Sequence, residues 1–112
     1  MKSKKSEIFE SMEKGECFRN VIFFMKNRGG LCAEINAKSF VVHGVATNIE
    51  GKQYPHAWIE CGTSVIDPTQ GVVLTKKKYY ELLQIKSADV KRYPFEEALI
   101  KAVRFGHYGP WE

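Results

Sequence analysis

The chain is poor in the residues that would place it in several common classes. Only three of its 112 residues are cysteine, an odd number, so not all can pair within one chain. None of them stands in a Cys-x-x-Cys spacing, so no zinc site and no other metal site is expected. A reducing, cytoplasmic setting with free thiols is the simplest expectation. No apolar run approaches the ~20 residues of a membrane span, so no membrane partner is expected. No apolar segment follows the first lysines either, and no secretory signal is expected. The chain also lacks a calcium-binding pattern, internal repeats and low-complexity tracts. Its charge is only mildly one-sided, at +4. The basic clusters at Lys2, Lys4 and Lys5, at Lys76 to Lys78 and at Lys91 with Arg92 read as solvated surface, and a nucleic-acid partner is not expected.

What is present is apolar and aromatic enough to fold, with 44% hydrophobic residues and 12% aromatics. The length suits a single domain over residues 1–112, in which residues 1–5 form a flexible basic tail. Ser6 can cap a short helix over residues 7–14 that Gly15 ends. The stretch from Glu16 to Arg28 carries apolar residues at 18, 21, 22 and 25, flanked by 17 and 24, and is read as a buried helix. Residues 31–38 fit either an extended crossing or a helical turn. Residues 40–47 alternate as a strand, and 48–52 form a hairpin-like loop. Thr75 can cap a helix over residues 76–84, with Tyr79, Leu82 and Leu83 on its buried side. Residues 90–93 form a short strand, and Pro94 leads into a helix over 95–104 with Ala98, Leu99, Ala102 and Val103 inward. The aromatic tail after Gly106 is expected to pack back on the domain. The fold expected is α+β, with N-terminal helices, the nucleophile at a helix start, on a small antiparallel sheet, followed by C-terminal helices.

The stretch from His56 to Thr69 carries the chemistry. Residues 54–61 alternate, with His56, Trp58 and Glu60 on one face and Ala57, Ile59 and Cys61 on the other. Gly62 makes the turn, and residues 65–67 start back before Pro68 stops the strand. A histidine early in one strand and an aspartate late in its neighbour can then lie together, as a general base and the carboxylate that orients it. Alone, Asp67 before Pro68 is equally a turn-former. The missing part is a nucleophile. Cys17 falls at or near a helix start, where unpaired amides and the helix dipole stabilise a thiolate. The other reading of Cys17 is a small buried hydrophobe. Cys32, after two glycines, is the alternative nucleophile, and Cys61 reads as core.

Glu16-Cys17 opening an apolar helix, His56-Ala57-Trp58-Ile59-Glu60, and Asp67-Pro68-Thr69 together resemble the transglutaminase-like superfamily of papain-type fold. The short spacing, with the Arg-Gly-Gly and Val-Val-His-Gly-Val segments, also resembles the small cysteine peptidases that process lasso-peptide precursors. The resemblance covers residues 15–70. It implies Cys17 as nucleophile, His56 as base and Asp67 as orienting carboxylate, and a peptidase, deamidase or acyltransferase acting through a thioester on a peptide or protein substrate. No cofactor is implied. The superfamily's oxyanion-hole side chain, upstream of the cysteine, has no clear counterpart here. The Cys17 backbone N–H can supply one donor. Trp58 lines a substrate groove, shields the site from water, or is simply a large core or surface aromatic. His43 reads as a partnered or edge histidine, and Glu60 as the surface partner of a lysine. An alternative function is a catalytically inactive domain of the same kind serving in protein interaction.

Overall fold

The computed structural model describes residues 17–28 and 39–111. The tail at 1–5, the helix expected over 7–14, the 31–38 segment and Cys32 lie outside the described residues. Among the described residues, three helices and a five-stranded antiparallel sheet make an α+β fold. In chain order these are α1 (Cys17–Arg28), β1 (Ser39–Thr47), β2 (Gln53–Cys61), β3 (Ser64–Asp67) and β4 (Val72–Thr75). Then come α2 (Lys76–Leu82), a 3-10 turn at Ser87–Asp89, β5 (Lys91–Pro94) and α3 (Phe95–Phe105).

The strands lie in the order β4-β3-β2-β1-β5. β1 and β2 form the central hairpin, with Val41 opposite Ile59, Val42 opposite Trp58 and Gly44 opposite His56. The loop between them is tied by Asn48 Oδ1, which accepts the Glu50 and Lys52 amides. The period of two sends alternate residues to separate cores. On one face Val41, Ala57, Ile59 and Tyr93 pack against Val21, Ile22 and Met25 of α1 and Ala98 of α3. Tyr108 and Trp111 close over the same core, so the aromatic tail packs back as its composition suggests. His43 sits there within 5.1 Å of the rings of Phe18, Tyr93 and Trp111 (centroid to centroid). On the other face Val42, Ala46, Trp58 and Val65 pack against Tyr79 and Tyr80 of α2 and Ile85.

Several details depart from the sequence reading. β4 was not expected, since its four residues are half exposed at a sheet edge and alternate too briefly to be read. α2 stops at Leu82, two residues short of the expected end, and Leu82 is 66% exposed instead of buried. Tyr80 takes the buried place beside Tyr79, so the two tyrosines do not divide between core and surface. In α3, Val103 is 84% exposed and faces outward. The Thr75 cap is present, its hydroxyl accepting the Lys78 amide at 3.2 Å.

Gly44 is required by a close approach. A Cβ there would lie 2.7 Å from Cη2 of the buried Trp58 ring and 3.0 Å from Val90. Neither is a flexible side-chain end, so Gly44→Ala is expected to destabilise the fold by about 1–3 kcal/mol, read as a lowered urea midpoint.

Candidate active site

The sheet positions the site where the pairing of β2 with β3 ends. The β2–β3 ladder runs from Cys61↔Ser64 to Ile59↔Ile66 and goes no further. Asp67 ends β3 and Pro68 can donate no ladder hydrogen bond, so among the described residues no strand pairs with residues 53–57 of β2 on that side. The start of α1 and the loop after β3 meet there. Cys17 Sγ, on the first described residue of α1, lies 4.0 Å from the Pro55 carbonyl oxygen. One turn along α1, the Asn20 side-chain amide donates to the Thr69 hydroxyl at 3.0 Å. Although α1 packs on one face of the sheet, its Cys17 end reaches the edge where the residues of the other face are accessible.

His56 and Asp67 meet on the diagonal between their strands, His56 Nε2 lying 2.8 Å from Asp67 Oδ2. Both side chains are buried. Asp67 is fully enclosed and accepts two more hydrogen bonds, from the Gln70 amide on Oδ1 (3.1 Å) and from the Tyr79 hydroxyl on Oδ2 (2.5 Å). Its backbone carbonyl accepts the Gly71 amide. Asp67 is thus the turn-former and the histidine's partner at once.

Burial by itself would push His56 down. The hydrogen bonds with Asp67 and with Cys17, and the charges of both, more than reverse that and raise it from 6.5 to about 9. The imidazole is therefore protonated at neutral pH. With Nε2 committed to Asp67, Nδ1 is the nitrogen left for Cys17. The imidazole can hold a thiolate beside it and later deliver a proton.

Two aromatic rings flank the imidazole along β2. Tyr54 stands on the half-exposed side, ring centroid 5.3 Å away, and Trp58 on the core side at 6.0 Å. The Gln70 side-chain amide donates to the Tyr54 hydroxyl at 3.4 Å, which ties the rim of the site to the loop after Asp67. Trp58 has no exposed surface, so it offers nothing for a substrate to touch. Its burial fits a core aromatic, which in this place also keeps water from that side of His56.

Glu60 departs most from expectation. It is 2% exposed, not a surface residue, although Lys76 Nζ does lie 3.5 Å from its Oε1. Its carboxylate also accepts from Trp58 Nε1 (3.0 Å), Arg92 Nε (2.8 Å) and the Tyr80 hydroxyl. Burial raises its affinity for a proton, but the hydrogen bonds from Tyr80, Arg92 and Trp58 win and hold it below the ordinary range. The network anchors Trp58, and through Trp58 the wall behind His56.

Three contributors escaped the sequence reading. Tyr79 looked like any core tyrosine of an amphipathic helix, while Asn20 and Gln70 carry no motif. For Gln70 a coarser signal existed: an aspartate before a proline marks a turn, and its side chain accepts amides of the residues that follow. No cluster of metal-ligating side chains occurs among the described residues. No described helix is long and apolar enough to cross a membrane. Comparison with protein-family models, curated proteins and solved structures finds no match for the chain.

Proposed function

We propose that this chain is a transglutaminase-like thiol enzyme, an amide hydrolase or acyltransferase with Cys17 as nucleophile, His56 as acid–base and Asp67 as the orienting carboxylate. The observation that carries the proposal is the His56 imidazole held between a fully buried carboxylate at 2.8 Å and the Cys17 thiol. In the proposed arrangement Cys17 opens α1, and the first-turn amides face the thiolate. The thiolate attacks the carbonyl carbon of a peptide or protein amide. The carbonyl oxygen takes up the negative charge, and the Cys17 N–H is one donor to it. Collapse of the adduct breaks the C–N bond as the imidazolium passes its proton to the leaving amine, giving a thioester. His56 then takes a proton from water, for hydrolysis, or from an incoming amine, for cross-linking, as that nucleophile bonds to the thioester carbon and the C–S bond breaks to return the Cys17 thiolate. No cofactor or metal enters this sequence of steps.

The test is iodoacetamide labelling of the native protein between about pH 5 and pH 9, read for each cysteine by mass spectrometry. Cys17 is expected to label rapidly below pH 7 while Cys61 does not, and His56→Ala is expected to remove that reactivity. Cys17→Ala is expected to abolish turnover with the fold retained. Activity surviving in that variant would move the nucleophile to Cys32. Labelling of Cys17 only at alkaline pH would instead favour a protein-interaction domain without turnover.

A further inference from the structure

Asp67 Oδ2 is shared by two donors. His56 Nε2 approaches it at 2.8 Å from β2, and the Tyr79 hydroxyl at 2.5 Å from α2. Tyr79 is buried, with its ring packed on Trp58 at a centroid distance of 5.4 Å. Burial first, and then the Asp67 charge, push the Tyr79 phenol far above the ordinary tyrosine range, so it stays a neutral donor at any pH at which the protein is folded. A carboxylate oxygen whose charge is partly met by one donor attracts a second donor less strongly.

We propose that Tyr79 is a positioning residue of the Cys17–His56–Asp67 site that acts through Asp67: its hydroxyl draws off part of the charge on Oδ2, so that the imidazole of His56 can still release its proton. The part that concerns catalysis rests on the thiol-enzyme function proposed above, because it is the leaving amine that needs this proton. A general acid bound too firmly to its partner is a weak donor in the transition state. The groups that face His56 are Asp67 from β3, Cys17 from α1, Tyr54 and Trp58 from its own strand, and Tyr79 behind Asp67 from α2. Burial, Asp67 and Cys17 all push the Tyr54 phenol upward, so it too is neutral. Among the described residues only Asp67 and Cys17 then set the charge around the imidazole, and Tyr79 acts on the first of them.

The two roles that Tyr79 could fill differ in sign. If the hydroxyl competes with the imidazole, Tyr79→Phe frees carboxylate charge for His56, and the His56 titration midpoint, followed by NMR of its ring Cε1–H, rises above that of the native protein. A rise of about half a pH unit or more is expected. If the hydroxyl only supports packing, its loss loosens the pair and the midpoint falls toward the ordinary 6.5. A fall or an unchanged midpoint overturns the proposal. Tyr80→Phe removes a neighbouring phenol from Glu60 instead and is expected to leave the midpoint in place. A difluorotyrosine placed at position 79 keeps the ring in place and donates more strongly, so it should lower the midpoint. That arm decides the matter even if the phenylalanine variant does not fold. Iodoacetamide labelling of the same samples separates the two proposals: an inert Cys17 sinks the enzyme, whereas the direction of the His56 midpoint judges Tyr79 alone.

Discussion

Under the proposed function, Asp67→Asn is expected to slow acyl transfer through Cys17 by about 10³- to 10⁴-fold while leaving the chain folded. The size of the effect follows from the three donors that converge on this carboxylate. Gln70 N–H occupies Oδ1, and Tyr79 O–H and His56 Nε2–H occupy Oδ2. An amide has one acceptor atom where the carboxylate has two. If its oxygen stays with Gln70, its NH2 group faces the imidazole and the phenol. His56 must then present an unprotonated Nε2 and carry its single proton on Nδ1, the side of Cys17. That tautomer cannot take a proton from the thiol, and protonation of the ring would set N–H against N–H. Reactivity of Cys17 near pH 6 should disappear, and alkylation should continue slowly at alkaline pH. An unchanged rate would reduce Asp67 to the turn-former that its Gln70 and Gly71 contacts also make it.

The same pair predicts how stability depends on pH. His56 has its folded value raised to about 9 from an unfolded 6.5, so its contribution is complete below the unfolded value and is lost as pH rises through the folded one. That window runs from about pH 6.5 to pH 9, and the linked contribution is on the order of 3 kcal/mol. Thermal midpoints should fall across this window in the native protein and stay nearly flat in Asp67→Asn, which has no charge to offer the imidazolium.

The parts of the fold that could be read in the sequence are those set by local period. The alternation over residues 54–61 placed His56, Trp58 and Glu60 on one face, and the two cores divide along that line. The Gly62 turn and the stop at Pro68 brought Asp67 back toward His56, which needed only a hairpin to foresee. What could not be read depends on which layer covers each face. β2 is buried on both sides, so the polar face of its alternation is not a solvent face, and Glu60 is enclosed by Tyr80 and Arg92 from distant parts of the chain. Tyr79 was recognisable as core but not as a donor, because the geometry of its hydroxyl depends on where α2 docks. The approach of Cys17 to His56 is likewise tertiary, joining a helix on one face of the sheet to a side chain on the other where the β2–β3 pairing ends.

Glu60→Ala is expected to cost about 3–5 kcal/mol of stability, a large share of what a domain of this size has. Its carboxylate is the common acceptor for Trp58 Nε1, the Tyr80 hydroxyl and Arg92 Nε, with Lys76 nearby. Removing it leaves the fully buried indole N–H without that acceptor, and a donor stranded away from water carries the desolvation cost with no return. Tyr80 and Arg92 keep their own contact at 3.1 Å, and Arg92 can turn to solvent, which places the loss mainly on Trp58 and Tyr80. The measurement is urea unfolding monitored by tryptophan fluorescence, with Glu60→Gln as the comparison. The amide keeps one acceptor and should fall between the native protein and alanine. The dependence on pH runs opposite to that of His56. Glu60 is held below the ordinary carboxylate range when folded, so its contribution is present above about pH 4.3 and is lost as pH falls through the folded value. The native protein should therefore lose stability in acid more steeply than Glu60→Ala does. Equal acid slopes in the two proteins would mean that the network holds Trp58 by shape alone, and that the charge on Glu60 contributes nothing to the wall behind His56.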